Sequence, residues 1–528
     1  MPEQSRLLDN SQSLPDSSAR AQGKVYLVGA GPGDSSLLTL RGAELLKRCQ
    51  VLVIDRLIPS DLLEMVSRDC RIIDAGKSGS RHTLTQSQIN SVLVRWARLG
   101  KEVVRLKGGD PYVFGRGGEE AVWLKEHNVP FEVVPGVSAA VAAASCAGIP
   151  LTHRDMSSQL VILTGHEKLD KDKSSHDWAA LAKMGTLSIV MGAANLAQIC
   201  QKLMANGKDP QTPAAMIEKG ATPAQRVVIG TISELPTLAA QAGLSPPSLV
   251  VVGQVVKLRQ TLNWFEERPL WGRKVMVTRT RAQAGRLSSL LKDLGAQVIE
   301  RPVIRIEPIA PNPALEIVLD NLINFNWLIL TSPNGASFFL NSLFARGFDA
   351  RSLSGLKIAV IGPATGEALA PYGLKPDLTP LTYMAEGLLE SFKEVKPGRL
   401  ILARAEGARD VLPVGLKNFG FEVTELNLYR TLPALNFGDP LTFKELKKNP
   451  PHLTTLTSAS SAKALASVIG QADRFLFPVC SIGPITSLAA QEFGFTVAAQ
   501  SQQASILSMV SAMTEYFKRV EYSYEPWI

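Results

Sequence analysis

Two glycine-rich turns and one aspartate carry most of the chemistry this chain could do. Gly29, Gly31 and Gly33 form G-x-G-x-G in Gly29-Ala-Gly-Pro-Gly-Asp34, after the apolar run that starts at Lys24, and Asp55 closes the next apolar run. A strand, a glycine turn and an acid about 20 residues later can hold a nucleotide, with the acid on a ribose hydroxyl. A glycine-rich strand-to-helix turn also needs no ligand. Asp34 stands where a dinucleotide fingerprint has its third glycine, and Pro32 sits inside the loop; both count against that fingerprint. The second turn is Leu106-Lys-Gly-Gly-Asp-Pro-Tyr-Val-Phe-Gly-Arg-Gly-Gly-Glu-Glu120. Gly108 and Gly109 let the backbone approach a ligand closely, and Asp110-Pro111 adds a fixed acceptor and a turn. Glu119 and Glu120 suit the positive end of the next helix. Asp110 would repel a phosphate, and no Lys-Ser/Thr pair follows it, so this turn is not a phosphate cradle.

The elements that position these turns alternate. Apolar runs at Lys24–Gly29, Gln50–Ile54, Arg71–Asp74, Glu102–Leu106 and Phe131–Val134 are separated by helical patterns, the signature of an α/β unit with a largely parallel sheet. A second block follows Leu151, with runs at Leu160–Leu163, Leu187–Met191, Ala214–Ile217 and Leu249–Val252. The segment Lys257–Gly272, with Trp264, Pro269 and Trp271, breaks the rhythm and marks the main boundary. The expected organisation is a flexible tail over 1–22, a first domain over 23–262, a linker over 263–272 and a second domain over 273–528.

The second domain repeats itself. Val277-Thr-Arg279 matches Leu402-Ala-Arg404, and Leu287, Gly295, Val298 and Glu300 match Leu412, Gly420, Val423 and Glu425, all 125 positions apart. Thr331-Ser-Pro-Asn334 echoes Thr457-Ser-Ala-Ser460, and Ile361-Gly-Pro-Ala-Thr365 echoes Ile482-Gly-Pro-Ile-Thr486. A nearly constant offset across three motifs predicts two related α/β lobes with a cleft between them.

Composition excludes several classes. At 528 residues with 45% hydrophobic and 20% charged content, the chain reads as two to four ordinary globular domains. It has no apolar run of about 18 uncharged residues, so no membrane partner is expected. The N-terminus lacks the apolar core of a signal peptide. Five dispersed cysteines without a Cys-x-x-Cys pair fit a reducing cytoplasm, and neither they nor the six histidines cluster at metal-ligand spacing, so no metal is expected. The charge of +8 could serve nucleic acid, but aromatics are 6% and no basic run interleaves with them. A small polyanion is the other candidate, and a solvated surface with no partner preference stays open, since charge alone does not choose among these.

The first half resembles the tetrapyrrole methylases, and within them the uroporphyrinogen-III C-methyltransferases. The likeness rests on the two turns above and on Val51-Leu-Val-Ile-Asp-Arg-Leu57, Gly76-Lys77, Val134-Pro-Gly-Val-Ser-Ala139 and Gly148-Ile-Pro-Leu-Thr-His-Arg-Asp155. Val190-Met-Gly192 and Glu218-Lys-Gly220 continue it in the family's order. The resemblance implies a two-lobed fold that binds S-adenosylmethionine through Pro32, Gly108, Gly109, Asp110, Val113, Ser138, Ala139, Met191 and Gly220. It implies Asp55 as proton acceptor and Lys77 as proton donor. An acidic residue at 110 suits a donor that brings an amino group and a sulfonium. Uroporphyrinogen carries eight carboxylates, and Arg56, Arg116, His153 and Arg154 are candidate contacts for them. The resemblance also admits a homodimer through the methylase half, which the sequence does not decide.

The second half resembles uroporphyrinogen-III synthase from about Gly272 onward, on Val-Thr-Arg, Thr-Ser-x-Asn/Ser and Ile-Gly-Pro-x-Thr. The resemblance implies two α/β lobes, Lys274 to about Val303 joining Leu453–Phe517 in one and Ile304–Arg430 forming the other. It implies closure of a linear polycarboxylate tetrapyrrole, hydroxymethylbilane, without a cofactor. Thr331, Ser332, Asn334, Thr365, Ser458, Ser460 and Thr486 are suited to hold carboxylates at helix N-termini, or to cap those helices. Tyr429 and Tyr372 are unassigned candidates for a general acid. Two alternatives stay open: a methylase acting on a different substrate, and a second half that binds a ligand without turnover.

Overall fold

A computed structural model describes residues 23–55, 58–67, 69–76, 84–166, 176–279, 281–434 and 445–523. The contacts divide the chain into two compact units, Met1–Arg268 and Pro269–Ile528.

The first unit contains two sheets. Its first sheet is built from β1 (Val25–Gly29), β2 (Val51–Ile54), β3 (Arg71–Asp74), β4 (Val103–Lys107) and β5 (Phe131–Val134), in the order β3-β2-β4-β1-β5. Every pairing is parallel. Helices cover both faces of such a sheet, so its central strands read as unbroken apolar runs; β1 and β4 are buried at all positions. Val25, Leu27, Val51, Val53 and Val103 pack on one face, and Val28, Leu52, Val104 and Leu106 on the other. All five strands end at one edge, which collects Ala30, Asp55, Ala75, Gly108 and Pro135 just beyond them.

The second sheet is mixed. It comprises β6 (Leu160–Thr164), β7 (Thr186–Val190), β8 (Pro213–Glu218), β9 (Arg226–Thr231) and β10 (Ser248–Val252), in the order β6-β7-β10-β8-β9. β10 runs antiparallel to both neighbours, so β7 and β8 point the same way on either side of it. Residues just past β7 and β8 therefore share an edge, about 10 Å apart. The segment expected as a linker is partly docked on this unit. Arg259 pairs with Glu266 at 2.6 Å, Gln225 donates to Glu266 at 2.9 Å, and Trp264 donates to the Ser145 carbonyl at 3.1 Å.

The strands of the second unit are β11 (Lys274–Val277), β12 (Gln297–Glu300), β13 (Ile304–Pro308), β14 (Trp327–Leu330), β15 (Lys357–Val360), β16 (Arg399–Ala405), β17 (Glu422–Pro433), β18 (Leu453–Leu456), β19 (Val479–Ser481) and β20 (Val497–Gln500). They form two sheets, β12-β11-β18-β19-β20 and β13-β17-β16-β14-β15. The 125-residue offset maps β11 onto β16 and β12 onto β17. The Thr-Ser motifs follow β18 and β14, and the Ile-Gly-Pro motifs follow β19 and β15. Leu378 bridges Ala359 of β15 in parallel, in the place β20 takes beside β19. The two lobes thus share one strand order, joined in a different chain order. The chain leaves the first lobe after β12, builds the second, and returns.

The five cysteines are free thiols. Their sequence separation hides one contact: Cys49 and Cys70 meet at 3.6 Å between sulfurs, and burial pushes both thiols up. Among the described residues no group of His, Cys, Asp and Glu could hold a metal, and no helix is long and apolar enough to cross a membrane.

Candidate functional sites

In the first unit, missing side chains bring three strand ends together. Gly31 and Gly109 form an isolated antiparallel bridge, with N–H···O distances of 3.3 and 2.7 Å. A Cβ on Gly136 would overlap the Gly109 carbonyl oxygen and meet Gly29 Cα at 2.7 Å, so the loops after β1, β4 and β5 touch backbone to backbone. Asp110 locks this junction: its carboxylate accepts from Tyr112 N at 2.8 Å and Gly136 N at 3.0 Å. Ser138 caps the helix Ala139–Cys146, accepting from Ala140 N at 3.3 Å. A Cβ on Gly109 would stand 3.6 Å from Ala139 N and 3.7 Å from Ser138 Cα. The second sheet joins from its own edge. A Cβ on Gly33 would lie 2.6 Å from Thr222 Cγ2, and Gly220 has no room for a side chain against Ala143 of the same helix. Pro32, Gly109, Asp110, Ser138, Ala139 and Gly220 are thereby gathered. Val113 follows within the Asp110 turn, and Met191 stands past β7 on the edge that also carries Gly220.

Backbone conformation marks the same places. Among the described residues, six non-glycine residues have positive φ: Phe114, Arg116, Asn128, Met191, Lys219 and Ala221. All but Asn128 belong to these loops. Each left-handed non-glycine residue costs about 1–2 kcal/mol, and such strain concentrates where a ligand is handled. Gly108 presents bare backbone, with nothing within 4 Å of where its Cβ would stand. Exposed Val113 and Met191 add apolar surface. A small ligand with an apolar body fits this edge.

Asp55 closes β2, next to β4, and beneath it lies a charged cluster that the sequence reading missed. Arg105 Nη2 donates to Asp55 Oδ1 at 2.5 Å and its Nε donates to Glu120 Oε1 at 3.1 Å. Lys107 and Gln86 also donate to Glu120 Oε1, at 3.0 and 3.1 Å. Arg105 and Lys107 are 2% exposed and Glu120 is 0% exposed, while the Asp55 side chain is 36% exposed. Burial, with Arg105 as a second cause, lowers the Lys107 amine from its ordinary value, against the pull of Glu120. Glu120 stands in the first turn of its helix, as its sequence position suggested, and its carboxylate also faces inward, where it neutralises two buried cations. Its neighbour Glu119 is exposed and accepts both arms of Arg116, at 2.9 and 2.7 Å. Arg105 and Lys107 alternate on one face of β4, and that alternation was the available signal.

Arg154 is exposed, and His153 accepts from Asp155 N at 3.2 Å within a tight 153–157 turn. Arg56 and Lys77 lie outside the described residues.

In the second unit the hydroxyls divide. Ser332 caps the helix Pro333–Ala345 and Ser458 caps the helix Ala459–Val468, equivalent positions in the two lobes. Ser460 is 2.9 Å from Ser458. Thr365 and Thr486 are buried within the first turns of their helices. Thr331 donates to the Ala403 carbonyl at 3.2 Å. Ser332 also meets the Tyr429 hydroxyl at 2.8 Å. Burial raises the Tyr429 phenol, and its contacts with Ser332 and Asn334 counter this. Tyr372 instead bonds Asn341 at 3.0 Å and stacks on Phe344. Thr331 and Tyr429 border a cavity at the carboxyl edge of β14, β15 and β16.

Both units are therefore α/β enzyme scaffolds whose candidate ligand-binding residues gather at the carboxyl ends of parallel strands. Family models match each of them: Tetrapyrrole (Corrin/Porphyrin) Methylases over residues 24–236 and Uroporphyrinogen-III synthase HemD over residues 285–511. The chain belongs to the proteins that join these two families in tandem: it is 37% identical over 499 residues to the porphyrin biosynthesis protein HemD of Ruminiclostridium josui, covering 93% of this chain and 98% of that one. It is 41% identical over 333 residues to a uroporphyrinogen-III C-methyltransferase of Bacillus subtilis, covering 63% of this chain and 68% of the relative. A solved uroporphyrin-III C-methyltransferase from Thermus thermophilus, in complex with S-adenosylhomocysteine, is 38% identical; the match covers 45% of this chain and all of that one, with a TM-score of 0.39. The chain spans about half the length of the siroheme synthases it also matches.

Proposed function

We propose that the second unit converts hydroxymethylbilane to uroporphyrinogen III and that the first methylates this product twice, giving precorrin-2 toward sirohaem or corrinoids. The observation that carries the reading is the tandem itself: a synthase family whose product is the methyl acceptor named for the Bacillus subtilis relative.

S-adenosylmethionine, when bound, supplies an activated methyl group. The residues of this chain do the rest. The Gly31–Gly109 junction, Gly108 and the Asp110 turn hold the donor, with Val113 and Met191 against its apolar parts. Alignment of a pyrrole carbon with the methyl group is the main source of rate. Asp55 takes the ring proton lost after transfer; Arg105 fixes its carboxylate and Glu120 fixes Arg105. Lys77 returns a proton. Arg56, Arg116, His153 and Arg154 hold substrate carboxylates, Arg116 by exchanging Glu119 for the ligand. In the second unit the cleft folds a reactive bilane and excludes water, without a cofactor.

Full-length protein given hydroxymethylbilane is the test. Uroporphyrinogen III without S-adenosylmethionine, and precorrin-2 with it, are expected. Uroporphyrinogen I alone would overturn the second-unit assignment; uroporphyrinogen III left unmethylated would overturn the first.

A further inference from the structure

The cavity beside Tyr429 measures about 230 Å³. Thr331 and Ile361 follow β14 and β15, and Arg404 lies in β16, so it opens where parallel strands end. Its size limits what enters. Pockets for whole small ligands run about 300–1,000 Å³, and a tetrapyrrole needs more than the lower bound, so this one takes a single arm. Its chemistry says which arm: Ile361, Leu402 and Leu412 supply apolar wall, and Arg404, Arg409, Thr331 and Tyr429 supply polar groups. Methylenes ending in a carboxylate match that division.

The two arginines differ in what they have left to give. Arg404 is 5% exposed. It pairs with Glu425 at 3.2 Å and Asp410 at 3.5 Å, and it donates to the carbonyls of Ala408 and Arg409. Its fork is committed to shaping the 405–410 loop. The Arg409 side chain is 59% exposed and pairs with Glu386 at 3.2 Å, itself 50% exposed. A pair this open contributes little and exchanges readily. A guanidinium that can trade a rim acid for a ligand carboxylate gains bidentate geometry on the new partner.

We propose that Arg409 binds one carboxylate arm of the polycarboxylate tetrapyrrole handled by the second unit, and that Glu386 holds the guanidinium until the arm displaces it. The proposal rests on the synthase reading above.

The test compares wild type, R409Q, R409K and E386Q as full chains, by cyclisation kinetics and by fluorescence titration with uroporphyrin III. R409Q should raise KM and the dissociation constant about tenfold or more, the value of a charged hydrogen bond. R409K, which keeps the charge and loses the fork, should fall between. E386Q should lower both constants about two- to threefold, because it removes the competing acid. An ion pair with a structural role alone would move R409Q and E386Q in the same direction, and that outcome overturns the proposal. Equal constants for wild type and R409Q overturn it as well. A wild type that binds uroporphyrin III with the predicted order of variants, yet forms no uroporphyrinogen III, would overturn the synthase reading and leave the carboxylate site standing.

Discussion

Glu120→Gln tests the charged cluster under Asp55 most directly. Oε1 of Glu120 accepts from Arg105, Lys107 and Gln86, while Oε2 is buried without a partner, so the whole arrangement leans on one oxygen. Glutamine keeps the shape and deletes the charge, leaving two cations at 2% exposure with Asp55 as the remaining acid on Arg105. Breaking a buried pair from one side costs about 3–5 kcal/mol, against about 5–15 kcal/mol of stability for a whole domain. The protein has one escape, deprotonation of Lys107. From an unfolded-state pKa of about 10.4 this costs at most about 4.6 kcal/mol at pH 7, and about 1.4 kcal/mol less for each pH unit gained. The sign follows from linkage. Lys107 is already lowered in the folded protein, so the unfolded chain binds more protons between the two pKa values and stability rises with pH there. Removing Glu120 takes away the charge and hydrogen bond that raise Lys107, and extends this window downward. The deficit of E120Q relative to wild type should therefore be about 3–5 kcal/mol at pH 7 and narrow toward pH 9. Urea unfolding at both pH values measures it, and hydrogen exchange across 103–126 against 399–405 assigns it to the first unit. The triple change R105M, K107M, E120L should recover most of the stability and still slow methyl transfer, since Asp55 then has no guanidinium. A loss below about 1 kcal/mol in E120Q, or a deficit that does not change with pH, would show that Glu120 does not hold the two cations in place.

Three further outcomes are expected. Gly136→Ala should destabilise the first unit by about 1–3 kcal/mol and weaken S-adenosylhomocysteine binding by calorimetry, because its Cβ has nowhere to go; Gly118→Ala, which meets open space, should leave both within about 0.5 kcal/mol or slightly improve stability. Ser332→Ala and Ser458→Ala should each cost about 1 kcal/mol as lost helix caps by thermal unfolding, but S332A should disturb cyclisation more, since Ser332 also holds Tyr429. Tyr429→Phe should cost about 1 kcal/mol and reduce cyclisation, whereas Tyr372→Phe should leave the rate unchanged.

Much of the fold was legible because its strands are buried on both faces. Val25–Gly29 and Val103–Lys107 are continuous apolar stretches apart from Arg105 and Lys107, and the expected ranges fall within a residue of the observed ones. β9 was missed because Arg226–Thr231 is half exposed at an edge and contains Gly230, so its apolar content is diluted. The first candidate site was legible through glycines, since Gly29 and Gly136 report backbone contacts that any side chain would prevent and Gly109 a positive φ. The buried cluster was not, because Arg105 and Lys107 sit in what otherwise reads as core, and their acid comes from a helix whose charges look solvated. The cavity was hidden for a related reason. Arg404, Arg409 and Tyr429 come from a strand, the loop after it and the next strand, and no spacing rule joins them.

The repeat sharpens where the chemistry of the second unit must lie. An offset of 125 pairs Arg279 with Arg404, and the Thr-Ser motifs place cap Ser458 against cap Ser332, so both lobes keep the groups that shape a strand-end turn. The same offset pairs Tyr429 with Ile304, but Ile304 already opens β13 and pairs with Pro433 of β17, so the correspondence ends where the chain leaves the first lobe. Along this offset the first lobe therefore has no counterpart of Tyr429. Two lobes of one strand order thus differ at this strand end. On the synthase reading proposed above, the substrate is an unsymmetrical linear tetrapyrrole whose two ends must be told apart before one ring is inverted. On that reading, the lobe spanning 304–433, which carries the Tyr429 phenol, Arg409 and the cavity, is the lobe expected to make that distinction.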